Sequence, residues 1–472
     1  MQRKHLKIIK VVALVGFAIW SVEFISPRHY RLPDPGPAPS GESAAVHMVN
    51  GLKIGEATSD SAIIWTRLTR DPETEVDTGW GRLVTGVSGE VRVLYWPDGN
   101  EAARRETDWV AVHEDGDFTR QIKLSGLDAA TNYSVVVEGR PPGNQDLISR
   151  HDGRFRTAPM VGEAAGVRFT VLTCMSFHRI DDGANGNKIF PVMESMDIDF
   201  LVHTGDIVYY DKAKPYATDL SLARFKWNRM FALPNHRSFF DNTGGYFMKD
   251  DHDTLKNDAW PGQWYGGLTW EQGLATFREQ VPMSEKTYRT FRWGKHLQFW
   301  LIEGRDFRSP NTMPDGPDKT IWGEEQKEWF FETVQASDAT YKLVISPTPI
   351  VGPDRDDKYD NHTNQSFRTE GEELRAFLSS IDNLFVITGD RHWQYVSEDP
   401  ETGLIEFASG PTTDRQASGF SLEERQPMHK YLNIKGGFLS VEVTPVDEDP
   451  EIIFTHHGVD GSVYNQVAFR LE

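Results

Sequence analysis

The rhythm of hydrophobic and polar positions changes partway along the chain. Between Val49 and Ala158 short β-patterned runs recur at 62–68, 91–96, 132–138 and 153–157, separated by Gly, Asp, Asn and Pro. That spacing predicts a small all-β sandwich of the fibronectin or immunoglobulin kind, spanning 49–160. After a short linker the apolar runs become continuous, at 167–172, 198–202, 297–302, 341–345, 384–387 and 404–407. Stretches with helical spacing lie between several of them, two being 322–336 and 369–379. Strands that alternate with helices predict a layered α/β architecture over 166–472, with at least one buried sheet. The last runs, 437–444, 452–455 and 463–471, have little helix between them. They add antiparallel strands and turn the expectation into a mixed sheet or a sandwich of sheets.

The N-terminal residues follow another pattern. Arg3, Lys4, Lys7 and Lys10 precede an apolar stretch from Val11 to Ile25, which fits an export segment over 1–27. A cleaved signal peptide and an uncleaved anchor both fit, so the expected location is periplasmic, secreted or membrane-anchored at the outer face. Residues 28–48, rich in Pro, Gly and Ser, read as a linker. Beyond the N-terminal segment no stretch is long and apolar enough to span a bilayer, so membrane contact is expected only there.

Composition narrows the functional classes. In 472 residues, 70 acidic side chains face 50 basic ones, a formal charge of −20 that argues against general nucleic-acid binding. Fourteen Trp and 27 Phe supply ample core material. A single cysteine, Cys174, excludes an intramolecular disulfide.

Polar chemistry concentrates just past the apolar runs. Cys174 follows the run 167–172, Asp206 and Tyr209 follow 198–202, Asp250, Asp251 and His252 follow Tyr246-Phe247-Met248, and Asp390 with His392 follows 384–387. Thiol, phenol, carboxylate and imidazole are metal-binding groups once deprotonated or neutral. Strand ends in open α/β sheets face a common crevice, so these clusters are expected to converge on one metal site. Gly205 and Gly389 precede the key aspartates and suit turns where backbone approaches closely. Alone, Cys174 reads as a buried hydrophobe, and Asp250 and Asp253 read as supporting or turn residues. The adjacent pair His456-His457 points to opposite faces of a strand and is not expected to share a metal.

The segments Thr204-Gly-Asp-Ile-Val-Tyr209, Lys249-Asp-Asp-His-Asp253 and Thr388-Gly-Asp-Arg-His392 resemble the metal motifs of the calcineurin-like metallophosphoesterase superfamily. Cys174, Arg278-Glu-Gln-Val-Pro-Met283, Tyr288-Arg-Thr-Phe-Arg-Trp-Gly294 and Glu303-Gly-Arg-Asp-Phe-Arg308 bring the chain closest to the alkaline phosphatase D (PhoD-like) family. The likeness extends into the N-terminal region over 51–68. The stretch 124–133 is similar to the turn and tyrosine region of a fibronectin type III domain.

The resemblance implies a phosphoric monoester or diester hydrolase with two or more metal ions. Cys174, Asp206, Tyr209 and His392 would hold one, of the Fe3+ kind. Asp206 would bridge to a second, Ca2+ or alternatively Mn2+ or Mg2+, held by Asp251 and Asp390. Ligand chemistry agrees, since thiolate, phenolate and imidazole suit a transition ion and clustered carboxylates a hard one. Two cations about 3.5–4 Å apart activate a water for in-line attack on phosphorus. His252 is then the expected general acid, with Arg391 and Arg305 as donors to the phosphoryl oxygens. A non-catalytic surface protein that binds a glycan or lipid head group, and a metal enzyme cleaving another ester, are the rival classes. The segment 311–320 and the loop 353–366 are candidates for a rim or lid.

Overall fold

The computed structural model describes residues 30–34, 45–73, 76–445 and 450–470. The export segment expected at 1–27 lies outside the described residues, as does most of the linker 28–48. Among the described residues no helix is long and apolar enough to cross a membrane.

Two large sheets form the centre. One has nine strands, in the spatial order Val463–Arg470, Glu451–His457, Phe438–Thr444, Val167–Leu172, Phe200–His203, Gly244–Phe247, Leu52–Gly55, Ser61–Arg67 and Thr119–Ser125. The other has seven, ordered Arg289–Trp293, Leu297–Leu301, Tyr341–Ser346, Leu384–Thr388, Ile405–Ser409, Gln394–Glu398 and His429–Asn433. Both are mixed: the central strands pair in parallel and the outer ones antiparallel. Their central strands are apolar because both faces are covered. Val171, Val202 and Tyr246 of the first sheet meet Phe299, Leu343, Ile387 and Phe407 of the second in one buried core. Phe200 stacks on Phe169 at 4.6 Å and meets Trp293 at 4.6 Å and Tyr246 at 5.0 Å. Truncating an aromatic so placed costs about 3–5 kcal/mol.

Helices cover the outer faces. Glu324–Gln335 and Arg368–Leu378 lie in the stretches their spacing predicts. They pack Phe330, Val334, Leu374 and Leu378 against Trp300, Val344 and Val386 of the seven-stranded sheet. Leu220–Phe231, Pro234–Asn242 and Trp270–Gln280 cover the other sheet. The result is a sheet sandwich between helical layers, the α/β class expected.

The N-terminal β region has a core of its own, from Val46 to Phe155. Tyr133 is fully buried there, and its hydroxyl accepts from Asp128 N at 2.9 Å, which pins the turn before its strand. The region is nevertheless continuous with the rest of the molecule. Leu52–Gly55 pairs in parallel with Gly244–Phe247, so the nine-stranded sheet runs through both parts. Arg289 strengthens the junction with a buried ion pair to Glu56 at 2.7 Å and a bond to Phe247 O at 2.7 Å.

Candidate metal centre

The parallel strands of both sheets end at one rim. Leu172, His203, Phe247 and Thr388 are the last strand residues before Cys174, Asp206, Asp250-Asp251-His252 and Asp390-Arg391-His392 respectively. Three of these loops begin with strained backbone: Cys174, Asp206 and Asp390 have φ of 54°, 58° and 59°. Left-handed conformations cost a non-glycine residue on the order of 1 kcal/mol or more and cluster at functional sites. Gly205, at φ 106°, lets two loops touch, since a Cβ there would lie 2.6 Å from Asp250 N.

These turns bring the expected side chains together. Ligand atoms of Cys174, Asp206 and His392 lie within 4.8 Å of one another, as do those of Asp206, Asp251 and His252, and those of Asp206, Asp250 and Asp390. Asp206 is the member common to all three groups. Cys174 Sγ is 3.5 Å from Asp206 Oδ2, and Tyr209 Oη is 3.4 Å from His392 Nε2. Gln416, absent from any sequence motif, donates to Tyr209 Oη at 2.7 Å and accepts from Ser176 N at 3.2 Å.

The donor set fits cations. Burial pushes the carboxyl of Asp206 well above its usual range, and Asp251, Asp250 and Asp253 push the same way. Burial, reinforced by Asp206, likewise holds the Cys174 thiol and the Tyr209 phenol well above their ordinary values. Asp250 Oδ2 is buried without a hydrogen-bond partner, an acceptor left open inside the Asp206, Asp250 and Asp390 group. Asp250, expected only as a supporting or turn residue, is by its geometry a candidate ligand beside Asp251.

His252 lies at the edge of this cluster and lines the cleft. Its Nδ1 is 2.5 Å from Asp211 Oδ1, its ring packs on Tyr209 at 4.4 Å, and its backbone NH donates to Asp251 Oδ1 at 2.8 Å. Asp211 is fixed in turn by Asn257 N at 2.9 Å. Burial opposes charge on His252, but Asp251, Asp206 and Asp211 outweigh it and push its pKa up to about 10. Asp253 serves the backbone, accepting from Ile207 N at 3.0 Å and Asp250 N at 2.7 Å.

The two arginines correct an expectation. Arg305 and Arg391 are fully buried and line no part of the cleft. Arg305 Nε binds Asp250 Oδ1 at 2.5 Å, with its guanidinium 3.9 Å from Asp251, while Arg391 pairs with Asp354 and Asp390. They sit beneath the carboxylates and hold them, where a substrate donor would have to face the opening. Of the two rim candidates, the loop after Pro353 lines the cleft through Arg355, Asp357 and Lys358. The segment 311–320 is instead tied down by Lys319, whose Nζ donates to Asn311 O and Met313 O. His456 and His457 are buried elsewhere, bonded to Ala408 O and Ser440 Oγ.

Comparison with known proteins identifies the family and the fold. Residues 169–438 match the PhoD-like phosphatase family, and residues 36–159 match the PhoD-like phosphatase N-terminal domain. The chain is 20% identical to alkaline phosphatase D of Bacillus subtilis (strain 168), over 84% of its own length and 75% of that protein's. The solved structure of PhoD superposes with a TM-score of 0.72 at 17% identity, covering 92% of each chain. The purple acid phosphatase PPD1 from yellow lupin seeds superposes with a TM-score of 0.62 at 13% identity, over 88% of this chain and 73% of that one. With the family match spanning more than half of the chain and both strand-end motifs and sheet sandwich in place, the chain belongs to the PhoD-like phosphatase family and is a phosphoester hydrolase.

Proposed function

We propose that the chain is an exported phosphoester hydrolase with a binuclear metal centre, acting on monoesters, diesters or both. The observation that carries this is the sharing of Asp206 by every ligand group at the rim. Cys174, Tyr209 and His392 complete one position around Asp206, of a kind that suits Fe3+. Asp251 and Asp390, joined by Asp250, form the other, suited to Ca2+, Mn2+ or Mg2+. When bound, such a pair of cations lowers the pKa of a water and takes up charge on the phosphoryl oxygens.

The remaining steps belong to side chains. His252 faces the cleft with Nδ1 held on Asp211, which leaves its other ring nitrogen to give a proton to the departing alkoxide. Arg305 and Arg391 act as positioning residues that keep Asp250, Asp251 and Asp390 in place. Export rests on the basic and apolar N-terminal segment, 1–27.

Release of p-nitrophenol from p-nitrophenyl phosphate and bis-p-nitrophenyl phosphate tests this, with and without chelator. Turnover of at least one ester, lost on chelation and restored by metal, is expected. Turnover that survives complete metal removal refutes the binuclear reading. A phenolate-to-iron band in the visible spectrum, lost in Tyr209→Phe, checks the softer position. A colourless, iron-free and fully active protein overturns the assignment of Cys174 and Tyr209.

A further inference from the structure

The cleft above the candidate ligands, about 970 Å³ in volume, is lined against the charge of the chain. Arg179, Lys212, Arg355, Lys358 and Arg415 face it, opposed by Asp258, Asp357 and Asp390, in a protein of formal charge −20. Two of these cations are already matched. Lys358 Nζ lies 2.8 Å from Asp258 Oδ1 and 3.5 Å from Asp360 Oδ2, and Arg355 Nε lies 3.6 Å from Asp354 Oδ1. Arg179, Lys212 and Arg415 are exposed and make no ion pair among the described residues. Arg415 Nη1 donates to Ile180 O at 2.7 Å, which joins its loop to that of Arg179.

Each of the three comes from a different loop: Arg179 after Val167–Leu172, Lys212 after Phe200–His203 and Arg415 after Ile405–Ser409. Unmatched surface cations on an acidic protein serve solubility wherever they lie, so exposure alone says little. Convergence from three strand ends on the mouth of one cleft is different, because each raises the potential the others create there. None of the three hydrogen-bonds or ion-pairs to a candidate ligand among the described residues, which leaves their charge available to a part of the substrate other than the phosphorus being attacked.

We propose that Arg179, Lys212 and Arg415 form a second anion subsite, and that the preferred substrates are phosphoesters carrying a further phosphate group beyond the one cleaved. This rests on the phosphoesterase reading of the cleft. Two guanidinium forks and an ammonium suit the several oxygens of a phosphate. A substrate with one phosphorus would leave them hydrated.

Two chromogenic diesters that share scissile bond and leaving group test this, p-nitrophenyl thymidine 5′-phosphate and the same compound bearing a 3′-phosphate. At low ionic strength the 3′-phosphorylated ester is expected to show at least tenfold higher kcat/KM, mainly through KM. That preference falls as salt is raised, because exposed charges are screened beyond about 8 Å at physiological ionic strength. The full-length variant Arg179→Gln/Lys212→Gln/Arg415→Gln is expected to bring the ratio of the two substrates close to one, with its fold checked by thermal melting. Calorimetry gives a readout without turnover: thymidine 3′,5′-bisphosphate binds wild type at least tenfold tighter than thymidine 5′-monophosphate. A wild-type ratio near one, a salt-independent ratio, or a ratio that survives in the triple variant overturns the subsite. Failure to release p-nitrophenol from either diester or from p-nitrophenyl phosphate overturns the phosphoesterase reading itself, and the subsite with it.

Discussion

Around Cys174, Tyr209 and His392 the protein supplies packing, a neutral amide and the ring of His252, whereas around Asp250, Asp251 and Asp390 it supplies buried arginines paired to the carboxylates. In the first region burial raises the thiol and the phenol well above their ordinary values and lowers His392 to about 3, so all three are neutral when no cation is present. Gln416 bridges Tyr209 Oη and the backbone NH of Ser176. In the second, Arg305 and Arg391 are buried among the carboxylates they pair with. Isolated carboxylates in that setting would be expensive to bury, so counter-charge is part of the scaffold. A cation entering the neutral half must displace protons, while one entering the carboxylate half meets a charge already partly balanced. The two candidate positions therefore differ in what would oppose loading as well as in donor type.

Asp206 is where the halves join, and its loss has the largest expected effect. Asp206→Asn keeps shape and removes the shared charge, so turnover is expected to fall on the order of 10³-fold, which corresponds to about 4 kcal/mol. Elemental analysis should find both positions depleted together. Retention of one full equivalent would show that the halves load independently and would break the comparison at its centre.

Arg305→Met separates them. Removing one partner from a buried ion pair leaves Asp250 uncompensated, which costs about 3 kcal/mol. Denaturant unfolding of the chelated protein reads that cost. Added divalent cation should restore part of it, because the cation takes over the charge the guanidinium supplied. An equal deficit with and without cation would mean that Arg305 acts through packing alone.

How far these features were visible in the sequence depends on whether they are local. The central strands of both large sheets were legible because strands covered on two faces are continuous apolar runs, and the candidate ligands stood out because each follows such a run; that Leu52–Gly55, Ser61–Arg67 and Thr119–Ser125 extend the nine-stranded sheet was not, because pairing across the two regions is set by the fold. The helix Leu220–Phe231 was harder to see, since Lys226, Asn228 and Arg229 are buried on it and interrupt the apolar stripe. Lys226 is tolerated there because its Nζ donates to the carbonyls of Tyr209, Lys212 and Ala213, bracing the loop that carries Tyr209. Asp211 and Gln416 gave no signal, because each acts across 41 and 207 residues of chain on a partner that only the fold brings near. The burial of Arg305 and Arg391 was equally hidden: arginines flanking such a motif have the same letters whether they face substrate or lie beneath the carboxylates.

The smallest effect tests the neutral half most finely. Gln416 reaches three ligand-bearing loops at once, accepting from Ser176 N near Cys174, donating to Tyr209 Oη and approaching His392 Nε2 at 3.5 Å. Gln416→Leu keeps bulk and removes both polar ends. In the chelated protein its bond to Tyr209 joins neutral groups, so a loss of about 1 kcal/mol in stability is expected. With a cation bound the phenol would be held as a phenolate, the same donor would face that charge, and a bond to a charged group is worth about 1.5–3 kcal/mol. The variant should therefore lose more in the loaded state than in the chelated one, seen as weaker cation retention together with a shifted phenolate band. Arg305→Met behaves in the opposite way, losing more when chelated. If both variants lose more in the same state, the two halves do not differ in charge as described, and the neutral character of the Cys174 and Tyr209 position is wrong.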